Sequence, residues 1–445
     1  MGVMGVLVAL LGMIAQISRP AFIIYLFTVS SVFASTAALL VAGKPIIVSI
    51  FLLPFLVMYF LRLRDSLDTF LWPMANIPAL RWFLLFVIWA VVVSVFAPKF
   101  YEGKTWVFNV DDGSFERQLL SFGGAHIAQM MYLVGTLVIV WLVAALVRYP
   151  PLMRTFACAI LATGVVNIFF AFMDLLNFHL GFPDIITPFK NATYAMVDQS
   201  MHGLRRVSGL FSETSAFSRF TIGVLTFSYF LFRYRMWPLV SGGVAAVSAL
   251  LLLISTSSSA YLGLFAFGLA VLAQELRYLS KGTASRHFLG LILLALVGAV
   301  FLLAMFPEQV AELVNSTIVD KLASESGIER MMWNDQAMVN LSETGWLGVG
   351  LGGNRASSLV IVVLSNVGVV GFILYLLFIG SVIKGTNLEQ ESDHATIASA
   401  AKISFLVMLV PATMSATTMY MGTLASILMA MACFSRNFQV INGKP

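Results

Sequence analysis

The sequence predicts an all-α, polytopic integral membrane protein with about 12 to 13 transmembrane helices and large outer loops. Three observations predict this fold class. Of the 445 residues, 60% are hydrophobic and only 11% are charged. The hydrophobic residues come in runs long enough to cross a hydrocarbon core of about 30 Å, which takes about 20 helical residues. Basic residues concentrate in alternate connections between these runs, as expected of a chain that crosses a membrane repeatedly.

The hydrophobic runs predict thirteen candidate membrane segments. They lie near residues 2–17, 21–42, 45–61, 80–97, 126–147, 152–176, 212–232, 237–254, 258–274, 288–306, 357–383, 401–418 and 420–434. The first of them is short for a membrane span. We therefore expect the soluble part of the chain to lie in the connections between these segments.

The basic residues of the short connections predict the orientation of the chain. If the segments alternate in direction, twelve of these residues fall on one side: Arg62, Arg64, Arg81, Arg148, Arg154, Arg233, Arg235, Arg277, Lys281, Arg286, Lys384 and Lys402. Basic connections stay cytoplasmic, so that side is predicted to be inside. The overall net charge of +5 then reflects topology, and nucleic acid is not an expected partner.

Alternation of the segments divides the chain into seven regions. We predict N-terminal membrane helices over 1–97, an outer loop over 98–125, membrane helices over 126–176, a second outer loop with an arginine motif over 177–211, membrane helices over 212–306, a large outer loop with an interfacial helix over 307–356, and C-terminal membrane helices over 357–445. The three outer loops are the longest soluble stretches, so chemistry is expected there.

Several common sites have no support in the sequence. It contains neither a Walker A motif nor a Gly-x-Ser-x-Gly elbow, which argues against ATP-driven transport by this chain alone and against a serine hydrolase. The five histidines are scattered without metal-ligand spacing. Cys158 and Cys433 lie in apolar segments, where a free cysteine behaves as a small hydrophobe. We predict neither a metal nor a cofactor.

The seventh segment is predicted to begin at the outer boundary of the membrane. Ser212 can cap this helix, with Glu213 in its first turn, where a negative charge suits the helix dipole. Arg219 would lie about two turns further in, at a cost of about 2.5–3.5 kcal/mol unless it faces protein or water. A six-residue separation puts Glu213 and Arg219 on different helix faces, so we expect each to have other partners.

Arginines recur in two outer loops that are far apart in sequence. Arg205 and Arg206 precede the seventh segment, Arg330 begins the expected interfacial helix, and Arg355 precedes the eleventh segment. Arg205 and Arg206 could anchor the chain to lipid headgroups. Alternatively the arginines form a pocket for an anion, because the planar guanidinium fork matches phosphate oxygens and stays charged. Several arginines could hold a diphosphate without a metal.

A glycine-rich stretch, GVGLGG, lies at 348–353 in the third loop. Its backbone amides could bind the same anion, as phosphate loops do. Glycines before a membrane helix more often make a turn, and we favour the turn over the anion cradle.

These motifs together resemble the O-antigen polymerase and O-antigen ligase superfamily. The resemblance is carried by Arg206-x-x-Gly209-x-Phe211-x-Glu213-x-Ser215, Arg330-x-x-Trp333, Gly348-Val-Gly-Leu-Gly352 and Asn366-Val-Gly368-Val-Val-Gly371, in this order over about residues 200–375. It implies a GT-C-like membrane fold and a metal-independent glycosyltransferase. The enzyme would lie in the bacterial inner membrane with its active site facing the periplasm, and its donor would be an undecaprenyl-pyrophosphate-linked glycan.

The sequence is closer to the polymerase branch of the superfamily. Where ligases commonly carry a His-Asn pair, this chain has Ser357 and Ser358. The polymerase branch implies that a growing chain is transferred to a new repeat unit of O-antigen, capsule or exopolysaccharide. Membrane lipids, and a chain-length regulator of the kind the family commonly uses, are the other expected partners.

The expected site residues follow from this chemistry. Glu213, Arg206 and Arg330 are the predicted catalytic residues, with Glu213 as general base for the acceptor hydroxyl or, equally, as a structural carboxylate. Arg205, Arg206, Arg219, Arg330 and Arg355 are the predicted pyrophosphate ligands. Three alternatives stay open: an O-antigen ligase acting on lipid A-core, a transporter or flippase of lipid-linked sugars, and a non-enzymatic scaffold.

Overall fold

The computed structural model of the chain describes residues 3–41, 44–63, 66–108, 116–192, 200–201, 204–280, 325–385 and 392–434. Within these residues the chain forms fourteen α-helices. They are α1 Val3–Ser18, α2 Phe22–Val29, α3 Val48–Leu61, α4 Ser66–Asn76, α5 Pro78–Phe100, α6 Gly124–Leu146, α7 Pro150–Leu180, α8 Thr214–Arg233, α9 Pro238–Ile254, α10 Ser258–Ser280, α11 Glu325–Glu343, α12 Leu359–Lys384, α13 Asp393–Ser415 and α14 Thr423–Ala432.

The fold class predicted from the sequence is confirmed. In the described part of the chain seven helices are long and apolar enough to cross a membrane, namely α5, α6, α7, α8, α10, α12 and α13. Five further apolar helices of 10–17 residues, counting the 3₁₀ turn that extends α2, accompany them. The chain is an all-α, multi-pass membrane protein. The predicted segment near 288–306 lies outside the described residues.

Three short antiparallel hairpins lie between the helices. They pair β1 (Ala37–Val41) with β2 (Lys44–Ile47), β3 (Trp106–Phe108) with β4 (Arg117–Leu119), and β5 (Ser200–Met201) with β6 (Leu204–Arg205). In the second hairpin Trp106 pairs with Leu119 and Phe108 with Arg117. Two 3₁₀ turns, Ser30–Val32 and Thr187–Phe189, complete the described secondary structure.

The prediction of one continuous span over 21–42 is wrong. Helix α2 ends at Val29, and after the turn Ser30–Val32 the chain enters strand β1. The hydroxyl groups of Ser30 and Ser31 each donate to a backbone carbonyl three residues earlier, at 2.6 Å. Such local bonds compete with helical hydrogen bonding, so a run with the hydropathy of a span stops as a helix after two turns.

Helix α8 lies at the centre of the bundle and is the most buried of the seven long helices. It packs against α9, α13 and α10. The backbones of α8 and α13 approach closely at Gly223, where an added Cβ would lie 2.3 Å from the Met408 sulfur. Small residues at such crossings allow helices to pack tightly in membranes.

Helix α12 is broken at Gly368, which has φ 69° and ψ −175°. An added Cβ there would lie 2.3 Å from the carbonyl oxygen of Trp346, so only glycine fits. The break frees carbonyl groups of the preceding turn. The backbone N–H groups of Val349 and Gly350 donate to Ser365 and Asn366 at 2.9 and 2.8 Å. The loop before α12 is thereby fixed to the helix.

Helix α11 lies where the sequence predicts an interfacial helix in the third outer loop, and it lies across the hairpin β3–β4. The Asn340 Nδ2 group donates to Thr105 Oγ1 at 2.6 Å and to the Trp106 carbonyl at 2.7 Å. Gln336 Nε2 donates to the same carbonyl at 2.9 Å. Parts of the first and third loops thus form one layer at one end of the bundle.

Candidate functional site

The site begins at the start of helix α8. This helix starts one residue later than predicted. Glu213 is itself the residue that precedes the helix, with extended backbone angles, and the helical residues start at Thr214. The expectation that Ser212 caps the helix with Glu213 in its first turn is therefore wrong. Because Glu213 lies outside the helix, its side chain is not confined to one helix face.

The Glu213 carboxylate contacts both its own helix and the third loop. Its Oε1 accepts a hydrogen bond from the Ser215 hydroxyl group. Its Oε2 lies 3.9 Å from Nη2 of Arg330, at the first turns of α11. Side chains from two distant loops therefore form an ion pair, with Glu213 29% and Arg330 37% exposed.

Arg206 approaches the same carboxylate from the segment before α8. Its side chain is partly buried, and its Nε is buried without a hydrogen-bond partner among the residues the structure describes. Burial lowers the pKa of Arg206, the Glu213 charge opposes that shift, and the Arg330 charge adds to it. The Arg206 guanidinium therefore lies within electrostatic range of both groups, with a buried donor directed at no described acceptor.

Arg355 is held by a stacking contact in the third loop. Its guanidinium carbon lies 3.9 Å from the ring centroid of Trp333 on α11, which is 7% exposed. Its backbone N–H donates to the Phe108 carbonyl at 2.8 Å. Burial lowers the pKa of Arg355, while the charges of Glu213 and Glu329 raise it. The aromatic face fixes the guanidinium plane at the site.

Arg219 reaches the cluster from inside α8. Its Nη1 donates to Ser415 Oγ at 3.3 Å, at the end of α13. It also interacts electrostatically with Glu213 and Arg330. The sequence predicts a partner for Arg219 other than Glu213, and Ser415 is such a partner. The Arg219 guanidinium inside the apolar helix therefore contacts a polar protein group. The prediction that Glu213 and Arg219 lie on different faces of one helix is wrong, because Glu213 precedes the helix.

Four of the five predicted arginine ligands therefore lie within electrostatic range of one carboxylate, and Arg330 forms an ion pair with it. Arg206, Arg219, Arg330 and Arg355 interact with Glu213, and Glu329 adds a second negative charge near Arg355. Arg205 ends strand β6, and its side chain lies outside the described residues. Four positive and two negative charges leave an excess of positive charge among these described side chains. Such a concentration of like charge is costly unless an anion joins it, and it is typical of functional sites.

Asp174 supports the site and was not singled out from the sequence. It is 1% exposed in α7, and its Oδ2 accepts hydrogen bonds from the backbone N–H groups of Ser208 and Gly209, both at 2.9 Å. These residues form the turn that follows Arg206. A carboxylate inside an apolar span is expensive and usually functional, which was the available signal.

The backbone amides of the stretch 348–353 are used within the protein. Gly348, Gly352 and Gly353 donate to Thr344 Oγ1, to Asn366 Oδ1 and to a backbone carbonyl at 3.0–3.1 Å, and Leu351 donates to Ser94 Oγ at 2.8 Å. With Val349 and Gly350 bound to α12, every amide of the stretch has a protein acceptor. The glycines make a turn, as favoured, and do not form an anion cradle.

Other potential reactive groups lie apart from this cluster. Cys158 and Cys433 are free thiols. Among the described residues, no group of three His, Cys, Asp or Glu side chains is placed to hold a metal ion. In comparisons with known proteins, no protein-family model matches the chain, and no curated protein matches it significantly.

Proposed function

We propose that the protein is a polysaccharide polymerase of the inner membrane that uses an undecaprenyl-pyrophosphate-linked glycan as donor. The observation that carries the proposal is that Arg206, Arg219, Arg330 and Arg355 lie within electrostatic range of Glu213, which forms an ion pair with Arg330. The cluster draws on two outer loops and a membrane helix, so it can hold a diphosphate while the polyprenyl tail stays in lipid. Guanidinium groups are the side chains best matched to this anion.

The proposed reaction transfers the growing glycan to a new lipid-linked repeat unit. A hydroxyl oxygen of the new unit bonds to the anomeric carbon of the chain's reducing-end sugar. The bond from that carbon to the diphosphate breaks, and undecaprenyl pyrophosphate leaves with the electron pair. Glu213 accepts the proton of the attacking hydroxyl group.

The arginines contribute by stabilising the departing diphosphate. Negative charge grows on its oxygens as the bond to the sugar breaks, and preorganised cations at that position stabilise the transition state more than the ground state. Stacking on Trp333 keeps the Arg355 fork fixed before substrate arrives. Arg206 offers a buried N–H donor for a phosphate oxygen.

The ligase alternative uses the same donor and differs in its acceptor. Polymerase is favoured because the position of the ligases' His-Asn pair holds Ser357 and Ser358. The backbone N–H of Ser357 donates to Asn334 Oδ1 at 2.8 Å, which ties this segment to α11. Neither side chain supplies the imidazole that the ligase pattern has.

A flippase is the candidate of a different class, and the break in α12 is the feature that favours it. Transporters use interrupted helices whose free carbonyl groups bind ions or substrate. Here the carbonyl groups before Gly368 accept from Val349, Gly350 and the Trp89 indole N–H, the last at 2.8 Å. They are occupied by the protein, so the break fits a structural role better than a transport site.

Transfer by the purified protein in detergent tests the proposal. The substrate is a defined undecaprenyl-pyrophosphate repeat unit, EDTA is present, and products are resolved by chain length. We expect a ladder from the wild type that Arg206→Ala and Arg330→Ala abolish. Arg154→Ala is the matched control. This exposed arginine forms an ion pair with Asp393 near the start of α7, whereas Asp174, which supports the site, lies near the end of that helix.

The other outcomes separate the alternatives. Glycan transferred to added lipid A-core, without a ladder from a cognate substrate, would identify a ligase. Lipid-linked sugar crossing proteoliposomes, with neither product formed, would contradict the enzyme proposal.

A further inference from the structure

A buried lysine in the second outer loop contacts the segment that carries Arg206. Lys190 is 6% exposed and directly follows the 3₁₀ turn Thr187–Phe189. Its Nζ group donates to Ser208 Oγ at 2.8 Å. Lysine is almost never fully buried in proteins unless it is paired with an opposite charge. The burial of this cation therefore calls for a counter-charge close to Ser208.

Asp174 supplies that counter-charge. The Ser208 hydroxyl group, which accepts from Lys190, lies in hydrogen-bonding reach of Asp174 Oδ2 at 3.4 Å, and the Ser208 backbone N–H donates to the same oxygen at 2.9 Å. Ser208 is 0% and Asp174 1% exposed. The hydrogen bonds run from the positive group through the hydroxyl to the negative group, and opposite charges that lie close together favour the ionised form of each.

The turn held by this pair of charges carries Arg206. Arg206 precedes Ser208 by two residues, a stretch of at most about 7 Å. Its Nε is buried and has no acceptor among the residues that the structure describes. A carboxylate without a counter-charge at position 174 would compete for this guanidinium. With Lys190 beside the carboxylate, the positive charge of Arg206 is left for an external anion.

The loop around Lys190 is fixed separately to the start of strand β1. Thr36 Oγ1 donates to the Phe189 carbonyl at 2.6 Å, and the Ala37 backbone N–H donates to Asn191 Oδ1 at 2.6 Å. These bonds flank the lysine and do not involve its side chain. Docking of the loop therefore does not depend on the ammonium group, which is available for a separate role.

We infer that Lys190 is a positioning residue for the proposed reaction, which compensates the Asp174 charge so that Arg206 can bind the diphosphate of the donor. The inference rests on the proposed function, which puts the diphosphate on the arginines. Lys190 contacts no substrate atom in this scheme and acts through the turn at Ser208. Loss of its charge should weaken diphosphate binding in a chain that is still folded.

Binding of undecaprenyl pyrophosphate by the purified full chain in detergent tests the inference. Lys190→Met removes the charge and keeps an unbranched side chain. We expect the affinity to fall about 10-fold, because the Asp174 carboxylate is then uncompensated. Asn191→Ala is the matched control in the same loop. It removes the hydrogen bond to Ala37 and leaves the charge pair intact, so its affinity should stay within about 2-fold of the wild type.

A charge-matched double variant separates this role from a purely structural one. Lys190→Met/Asp174→Asn removes both charges, and the amide oxygen introduced at position 174 can still accept from the Ser208 N–H. We expect the double variant to bind within about 3-fold of the wild type, whereas two independent structural losses would add. Thermal unfolding of the same preparations shows that each variant is folded.

Three results would overturn the inference: wild-type affinity in Lys190→Met, an equal loss in Asn191→Ala, or a double variant that binds no better than Lys190→Met. If Lys190→Met does not fold, the double variant decides, because a loss of about 10-fold or more there would contradict charge compensation. If the wild type binds the lipid and Arg206→Ala abolishes that binding, the proposed anion site survives the loss of this role. If the wild type does not bind the lipid, both proposals fail together.

Discussion

At the scale of single residues, the contact between Arg355 and Trp333 predicts that charge alone is not enough at the site. Arg355→Lys keeps the positive charge and loses the planar fork and its fit to the indole face. We expect transfer to fall at least about 10-fold, against no measurable change for the control Arg154→Lys. Initial rates at saturating donor provide the measurement. A lysine variant as active as the wild type would show that stacking and bidentate geometry do not matter here.

Asp174 predicts a second effect at this scale. Asp174→Ala removes the acceptor for the Ser208 and Gly209 N–H groups, which costs about 1–3 kcal/mol and frees the turn after Arg206. We expect weaker binding of the lipid-linked glycan donor and a lower rate of glycan transfer. The variant should still elute from a size-exclusion column as a folded protein. Asp174→Asn retains an acceptor oxygen and should recover part of the loss. Equal rates for the alanine variant and the wild type would remove Asp174 from the account.

The residues of the site were only partly predictable from sequence. The loop arginines and Glu213 stand out because charge is rare in this chain and recurs in the predicted outer loops. Which of these residues lie close together could not be predicted from the sequence. Residues 206 and 330 are brought near each other by tertiary packing, which no local sequence pattern encodes. The Arg219 argument failed for a local reason: it assumed that Glu213 is helical, and the helix begins one residue later.

At the scale of elements, the break in α12 predicts a sharp contrast between two glycines of the same helix. Gly368→Ala puts a Cβ 2.3 Å from the Trp346 oxygen in a backbone conformation nearly exclusive to glycine. We expect a marked loss of thermal stability and of folded yield. Gly380 is helical with nothing within 4 Å of an added Cβ, so Gly380→Ala should be neutral or stabilise by up to about 1 kcal/mol.

Thermal unfolding in detergent, followed by fluorescence or circular dichroism, measures this contrast. The two variants add the same methyl group to the same helix, so a general effect of the substitution would shift both alike. Equal melting temperatures for Gly368→Ala and Gly380→Ala would contradict the proposed role of the break.

Element boundaries show where hydropathy is informative and where it is not. The long runs that became α5, α7 and α12 were predicted within a few residues, because apolar length fixes them. Hydropathy could not reveal that the helix in the run from 21 to 42 ends before Ser30. A serine hydroxyl that donates to the backbone changes the local conformation, but it hardly changes the mean hydropathy of the run. Nor did it indicate α4, an 11-residue helix with Pro73 inside it.

At the scale of the whole molecule, the arginine cluster and the basic connections should lie on opposite sides of the membrane. The cluster lies at the start of α8, whereas α10 ends at Ser280 next to basic residues. Cysteine labelling tests this arrangement in a chain that carries Cys158→Ala and Cys433→Ala and therefore has no native cysteine. Single cysteines are then introduced at two exposed serines, as Ser342→Cys on α11 and as Ser280→Cys at the end of α10.

We expect a membrane-impermeant maleimide added to spheroplasts to label Cys at 342 and not Cys at 280. After permeabilisation both should react, which controls for accessibility. The reverse labelling pattern would place the cluster in the cytoplasm and contradict a periplasmic reaction, because lipid-linked repeat units would then meet the site on the wrong side.

The central claim is that the arginine cluster binds the diphosphate of a polyprenyl lipid. The most direct test compares the affinity of the purified protein for undecaprenyl pyrophosphate and undecaprenyl phosphate, for the wild type and for Arg206→Ala, Arg355→Ala and Arg154→Ala. The account predicts that the wild type and the Arg154 variant favour the diphosphate by about 10-fold or more, and that the two cluster variants lose this preference. Equal affinity for both lipids in the wild type, or an unchanged preference in both cluster variants, would contradict it.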